Sequence, residues 1–430
     1  MVETVFALSS GALPAGVAVV RLSGPDSLDI VRRLSGGACL PPPRTAMLRS
    51  IIAEGSDQLI DKALVITFPA PNSFTGENVA EIHCHGGIAV VAALQQALMR
   101  AGARPAEPGE FTRRAFESGR IDLTQAEALG DLIEAETDAQ REQALSQAGG
   151  RLRDLADEWR ERLVELMAGM EADLDFADEG DVVTEAEATP GKGPPGAGIG
   201  VLAEAVRTAL ATAPVAERIR QGLTIAIVGP PNVGKSSLLN ALARRDVAIV
   251  TPHAGTTRDV LEVHLNLGGR SAVLLDTAGI RETDDPVEAE GISRARARAA
   301  TADLVLDLGD GENANIVNRI DEIGVTPGWR GGRLYLSART GEGLAELEAW
   351  LSAWAAGQIP SGEPPVVTTA RQSHLLQETL ACLVEAEREC DPVLVAESLR
   401  SAAHALGRLT GRIDPETVLG AIFSRFCIGK

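Results

Sequence analysis

Residues 229–236 read Gly-Pro-Pro-Asn-Val-Gly-Lys-Ser, between an apolar run, Thr224-Ile-Ala-Ile-Val228, and a helix-patterned stretch, Ser236–Ala243. That order of strand, GxxxxGK[ST] loop and helix is what a P-loop requires. It points to a doubly wound α/β module, because such a fold brings a buried strand end and a helix start to one loop. Backbone N–H groups of the loop and the helix N-terminus favour phosphate charge. Lys235 would reach the β- and γ-phosphates, and Ser236 offers a hydroxyl to Mg²⁺.

Further segments narrow the base and the class. Asp276-Thr-Ala-Gly279 follows the apolar run Ser271–Leu275. An Asp there can hold a metal through water, while the Gly279 amide senses a γ-phosphate. Gly255-Thr-Thr-Arg-Asp259 supplies Thr257 as a second hydroxyl for Mg²⁺. Ser337-Ala-Arg339 follows Arg333–Leu336 and offers a backbone amide to guanine O6. With the P-loop, these segments resemble GTPases of the TrmE–Era–EngA type. Asn318-Arg-Ile-Asp321 stands where that family has NKxD. Asp321 can accept from guanine N1–H and N2–H₂, which adenine does not offer, and the aliphatic stem of Arg319 can cover the base. Only a few residues separate the strand end expected near Asp310 from Ile316. A parallel crossover takes about a dozen or more, helix included. Either a helix is missing there or the motif is misplaced. The residue after Gly279 is Ile280, so the water-orienting Gln of Ras-like enzymes is absent and another group must position water.

Composition bounds the rest. The chain has 430 residues, 45% hydrophobic and 23% charged, which suits two or three globular domains. Forty basic and 60 acidic residues leave a net charge of −20, against a generic phosphate-backbone binder. The excess is local: residues 1–120 carry 11 basic and 11 acidic residues, while residues 121–216 carry 7 and 21, a net of −14. A nucleic-acid partner therefore stays open, with weak, salt-dependent grip by this chain alone and a second protein supplying positive surface. Cys39, Cys84, Cys382, Cys390 and Cys427 form no CxxC pair, which fits a reducing compartment. The first residues carry neither a basic n-region nor a long apolar run, so neither a signal peptide nor a membrane span is expected.

Residues 1–120 alternate strand and helix patterns, with strands over 16–22 and 63–68 and a helix over 90–101. From Leu123 the pattern is helical, with Thr124 and Glu127 fitting a capping box. Residues 190–200 read as a flexible loop, with helix again from Val201 to Gln221. Runs at 224–228, 271–275, 303–307 and 333–336 read as the strands of the inserted module. Residues 360–368 form a linker and 371–426 are helical. The expected architecture is multidomain α/β: an α+β domain at 1–120, a discontinuous helical domain at 121–216 and 361–430, and a P-loop domain at 217–360.

The phrases Arg21-Leu-Ser-Gly24, Ser73-Phe-Thr-Gly-Glu77, Glu81-Ile-His-Cys-His-Gly-Gly87, Gly109–Phe116 and the ending Phe426-Cys-Ile-Gly-Lys430 complete a resemblance, over the whole chain, to the MnmE (TrmE, ThdF) family of tRNA modification GTPases. The resemblance implies a homodimer formed through a folate-binding-like N-terminal domain. It implies 5-formyl- or 5,10-methylene-tetrahydrofolate at Arg21, Glu81, Arg120 and Lys430. Physically, Arg21 or Arg120 can pair with a folate carboxylate and Glu81 can accept from pterin N–H groups; each taken alone also reads as a solvated surface charge. GTP or GDP would contact Asn232, Val233, Gly234, Lys235, Ser236, Ser237, Thr251, Pro252, His253, Ala254, Gly255, Thr256, Thr257, Asp276, Thr277, Ala278, Gly279, Asn318, Asp321, Ser337, Ala338 and Arg339. Mg²⁺ would take Ser236 and Thr257. K⁺ would take Asn232, Thr251, the backbone of His253, and Thr256, in place of an arginine finger. The family's water-orienting acid matches Glu288, although Glu282, Asp284 and Asp285 are equal rivals on chemistry alone.

The family also implies work with the FAD protein MnmG (GidA), in a heterotetramer or larger assembly, on wobble U34 of tRNA in the cytoplasm. An RNA- or ribosome-assembly GTPase without modification chemistry is the alternative, and a folate-binding scaffold that has lost hydrolysis is a further one. Cys427 reads either as a reactive thiol beside the folate or as a packed small hydrophobe. His83 and His85, two apart on a strand, share one side but lack further metal ligands.

Overall fold

The computed structural model describes residues 3–53, 55, 58–177, 195–245, 247–249, 262–276, 301–309, 311–360, 362–413, 419, 422–423, 426 and 429, with backbone alone at 171–177, 195–197 and 276. Strands β1 (Val5–Leu8), β2 (Ala15–Ser23), β3 (Met47–Ile52), β4 (Leu59–Phe68), β5 (Val79–Gly86) and β6 (Arg104–Pro105) form one sheet in the order β3-β4-β5-β2-β1-β6. All pairs are antiparallel except β1 with β6. Along β2, Ala18, Val20 and Leu22 are buried, the two-residue period of a strand with one face in the core. Helices α1 (Ser27–Leu34) and α2 (Ile88–Arg100) supply Ile30, Val31, Leu34, Val91, Leu94 and Leu98 to that core. Helix α3 (Glu110–Glu117) follows β6.

Helix α4 (Leu123–Glu134) starts one residue before the expected cap. Its capping box is Asp122 with Gln125: Gln125 N–H donates to Asp122 Oδ1 (2.9 Å), and Asp122 N–H donates to Gln125 Oε1 (3.1 Å). Thr124 lies inside the helix and donates its hydroxyl to Asp122 Oδ1 (2.7 Å). Helices α5 (Asp138–Ala148) and α6 (Arg151–Ala177) follow, the first capped by a Thr137–Gln140 box. The expected loop at 190–200 is overturned in its second half, because α7 (Pro195–Leu210) begins there. Proline is compatible with the first turn of a helix, where no intrahelical partner for its N–H is needed. The single helix expected to Gln221 is divided instead; α8 (Ala213–Gln221) carries Pro214 in its first turn.

The inserted module has a four-stranded sheet, β10-β7-β9-β8, from β7 (Leu223–Val228), β8 (Glu262–Asn266), β9 (Ser271–Asp276) and β10 (Leu304–Asp307). Helix α9 (Lys235–Ala243) packs Leu238, Leu239 and Leu242 into its core, each buried leucine contributing roughly 1.5–3 kcal/mol. Strand β10 ends at Asp307, short of the expected Asp310. Strands β11 (Ile316–Val317), β12 (Gly328–Arg330) and β13 (Arg333–Tyr335) form a separate sheet in the order β11-β13-β12. The short helix α10 (Ile320–Ile323) follows β11, and α11 (Leu344–Gln358) closes the module.

Helices α12 (Ala370–Arg388) and α13 (Pro392–Thr410) follow. Buried Ile199, Leu202, Ala203 and Val206 on α7, and buried Leu375, Leu376, Thr379 and Leu383 on α12, follow three- and four-residue spacing, and α7 packs along α12. The chain divides into two units, 1–130 with 407–430, and 131–406. In the first unit Phe423 and Phe426 pack with Ala126. Gly429 lies so close to Leu8 that a Cβ would meet its carbonyl oxygen, and its own carbonyl accepts from Ser9 Oγ (2.8 Å).

Candidate functional site

Parallel pairing of β7 with β9 sets Ile227 opposite Asp276, so Asp276 leaves the sheet at the same carboxyl end as the P-loop. That end is where doubly wound sheets bind ligands. In the loop, Asn232 has φ 62° and Gly234 φ 98°. The first is a left-handed conformation that costs a non-glycine residue of order 1 kcal/mol. Glycine is required at 234 for a second reason: Asn318 Nδ2 occupies the space that a Cβ would need. Gly234 caps α9, so the orphan amides of the helix start adjoin the loop. Lys235 is buried, and its Nζ donates to the carbonyls of Gly229 and Pro230 at 2.8 Å each. Ser236 and Ser237 follow in the exposed first turn.

Three chain segments that lie far apart in sequence are clasped by one side chain. Asn318 Nδ2 donates to Val233 O (3.1 Å) and approaches Gly234 O (3.5 Å), while its Oδ1 accepts from Ala338 N–H (3.0 Å). The Ala338 amide is thereby engaged within the protein, and the Ser337 amide donates to Glu342 O (2.8 Å). Asp321 accepts from Ser337 Oγ (2.5 Å) and pairs with Arg339. The Ser337 hydroxyl, with Arg339 beside it, outweighs desolvation and holds the Asp321 carboxyl below the usual range. It is therefore an ionised acceptor at neutral pH. Arg319 caps α10 with φ 64°, and its Nε lies 3.9 Å from where a Cβ on Gly234 would stand. The Asn318–Asp321 motif thus sits against the P-loop although the segment before it is short; no helix occurs among the described residues of 308–315.

Other expected residues lie outside the described set: Thr251, Pro252, His253, Ala254, Gly255, Thr256, Thr257, Thr277, Ala278, Gly279, Glu288, Cys427 and Lys430, with only the backbone of Asp276 inside it.

In the N-terminal unit, Arg21 and Glu81 are direct partners in the β2–β5 ladder. Arg21 Nε and Nη2 donate to Glu81 Oε1 at 3.0 and 2.9 Å, and His83 Nε2 lies 3.1 Å from Glu81 Oε2. Burial alone would raise the Glu81 carboxyl, but His83 and Arg21 together hold it below its ordinary value. His83, read from sequence only as half of a metal pair, is therefore a partner of Glu81. His85 Nδ1 instead meets Asp61 Oδ1 (2.8 Å). The Arg21 guanidinium stands 5.9 Å from the Phe111 ring centre. Arg120 is exposed, with its stem beside Gly76. A cavity of about 790 Å³ adjoins Thr75 and Ser118. Five glutamates and three arginines line it, and Arg21, Glu81 and Arg120 are not among its lining residues.

An ion-pair network braces this unit. Arg114 pairs with Glu77 (3.0 Å) and Glu110 (2.8 Å), and Arg104 with Glu110 (2.7 Å). Burial would raise the Glu110 carboxyl, but hydrogen bonds from Arg104, the Glu107 amide and Arg114 draw it from 4.5 to about 2. A depressed carboxylate stabilises the fold above its unfolded value and loses that contribution as pH falls through its folded one. Glu110→Gln is expected to lower unfolding free energy by about 2 kcal/mol at pH 7, after allowance for solvent screening. In urea melts the difference from the parent should shrink as pH drops from 4.5 toward about 2. A difference that ignores pH would contradict the assignment.

The family description "MnmE helical domain" matches residues 123–427, and "GTP-binding protein TrmE N-terminus" matches residues 4–120. A tRNA modification GTPase MnmE from Rhodopseudomonas palustris (strain BisB5) is 50% identical across 100% of this chain and 99% of its own length. Another, from Parvibaculum lavamentivorans, is 46% identical across 100% of both. Among solved structures, the G domain of the T. maritima FeoB iron transporter is 25% identical over 30% of this chain and 98% of its own, with a TM-score of 0.20. The P-loop and the Asn318 clasp thus occur in a chain that matches its relatives from end to end, and that chain belongs to the MnmE family of tRNA modification GTPases.

Proposed function

We propose that this protein hydrolyses GTP to drive modification of the wobble uridine, U34, of tRNA. The observation that carries the nucleotide part is the clasp: Asn318 ties the P-loop to Ser337–Arg339 while Asp321 stays ionised for guanine N1–H and N2–H₂. Lys235 and the start of α9 supply positive potential for the β- and γ-phosphates. Ser236 and Thr257 hold Mg²⁺, with Asp276 acting through water. Asn232, Thr251, the His253 carbonyl and Thr256 hold K⁺. Bound there, the two cations would supply positive charge against the charge that develops on the phosphates. Glu288 orients the attacking water. Turnover in KCl is expected to exceed that in NaCl by on the order of ten- to a hundredfold; equal rates would reject the potassium site.

The N-terminal unit binds 5-formyl- or 5,10-methylene-tetrahydrofolate through Arg21, Glu81, Arg120 and Lys430, and forms the homodimer. With MnmG, in a heterotetramer or larger complex in the cytoplasm, it yields 5-carboxymethylaminomethyluridine or the aminomethyl analogue. A path from nucleotide to helices is supported by the β8–β9 hairpin, which runs from residue 262 into Asp276. Its turn accepts the Ala139 amide on Gly269 O (3.0 Å), and His264 Nδ1 lies 3.3 Å from Glu136 Oε2.

Mass spectrometry of tRNA nucleosides from a deletion strain tests this reading. The wobble modification should vanish, return with the parent gene, and stay absent with Cys427→Ser, whose purified product should retain GTP turnover. Unchanged wobble uridines in the deletion strain would favour an RNA-assembly GTPase instead. Normal modification with Cys427→Ser would make that thiol structural.

A further inference from the structure

Strand β10 presents two edges. On one, it pairs with β7, Leu306 opposite Ile227. On the other, the Val305 carbonyl and the Asp307 amide and carbonyl face away from β7, and no strand pairs with them among the described residues. A parallel neighbour opposite Leu306 would donate its N–H to the carbonyl of residue 305 and accept from the N–H of residue 307. The side-chain amide of Asn315 makes those same two bonds. Nδ2 donates to Val305 O (2.7 Å), and Oδ1 accepts from Asp307 N–H (2.9 Å). The Asn315 backbone N–H adds a third, to Asp307 O (3.1 Å). One half-buried residue therefore serves three edge groups that a crossover strand would otherwise serve.

Asn315 is also the root of the guanine-reading segment. Its carbonyl accepts from Leu334 N–H (2.9 Å), Ile316 and Val317 pair with Leu334 and Tyr335, and Leu336 N–H closes on Val317 O (2.9 Å). Asn318 follows at once. We propose that Asn315 is a positioning residue for guanine recognition: its amide stands in for a β-strand peptide unit and sets Asn318 and Asp321 against the P-loop without a crossover helix. The inference rests on the guanine-nucleotide reading above. A side chain bonded at both its donor and its acceptor is rotationally fixed, so the register of β11 relative to β10 is fixed with it.

The test uses the full-length protein and compares affinity for GDP with that for IDP, whose base lacks the 2-amino group read by Asp321. Asn315→Ala is expected to weaken GDP about tenfold or more and bring the GDP-to-IDP preference close to one. KM for GTP should rise while kcat stays within about twofold. Asn315→Asp, of nearly equal volume, sets a carboxylate against the Val305 carbonyl and should lower the preference as well, guarding against a folding defect in the alanine variant. A preference kept at the parent level in either variant, with or without a general loss of binding-competent protein, overturns the role of Asn315. A parent with no preference for GDP over IDP would instead sink the guanine reading itself.

Discussion

Asp321→Asn should reduce GDP affinity by about a hundredfold or more and raise affinity for XDP. Guanine offers two donors, N1–H and N2–H₂, and an ionised carboxylate can accept both. An Asn in that place keeps one acceptor and presents an NH₂ group to a donor, leaving polar groups unpaired at a half-buried site. Sites built to hydrogen-bond a ligand donor discriminate by several powers of ten when the partner is lost. Xanthine carries a carbonyl at position 2, which the new amide can serve. The local frame should survive the change, because Asn318 still bridges Val233 and Ala338. Ser337 Oγ can still donate to the Asn oxygen in place of the carboxylate it meets at 2.5 Å. Equilibrium titration with GDP and XDP checks the exchange. Retained GDP affinity would mean that Asp321 does not read the base.

Glu288→Ala should leave GDP affinity within about threefold and lower kcat by about two to three orders of magnitude, the usual scale for losing a group that acts in the transition state. With Ile280 after the Asp276–Gly279 motif, no Gln stands there to orient water, so another group must take that task, and the family resemblance points to Glu288. Glu282, Asp284 and Asp285 crowd the same stretch. Separate alanine variants under single-turnover conditions distinguish them. A variant that raises KM with kcat unchanged lost binding, whereas one that lowers kcat alone lost transition-state stabilisation. Normal kcat in Glu288→Ala would transfer the role to one of the three rivals.

Local chemistry was legible in the chain itself. The P-loop lies between strand and helix where its glycines, Lys235 and Ser236 imply, because the strand and helix patterns are local. The strands around residues 16–22 and 63–68 and the helix around 90–101 follow from side-chain periodicity of two or 3.6 residues. Boundaries were less legible: Asp122 rather than Thr124 caps α4, and Pro195 opens a helix where a loop was expected. Asp122 takes the cap by accepting from Gln125 N–H, and proline is compatible with the first turn of a helix.

Pairings between distant segments came from the tertiary structure alone. That His85 turns to Asp61, 24 positions away, depends on β4 lying beside β5, whereas the contact of His83 with Glu81 lies within β5 itself. The short segment before Asn318 looked too short for the motif it leads to, and only the fold resolves this, with Asn315 bonding across to β10. The physical reason is the same in each case. Periodicity and motif spacing are properties of neighbouring residues. A hydrogen bond between residues of different elements forms only after the chain between them has taken its place.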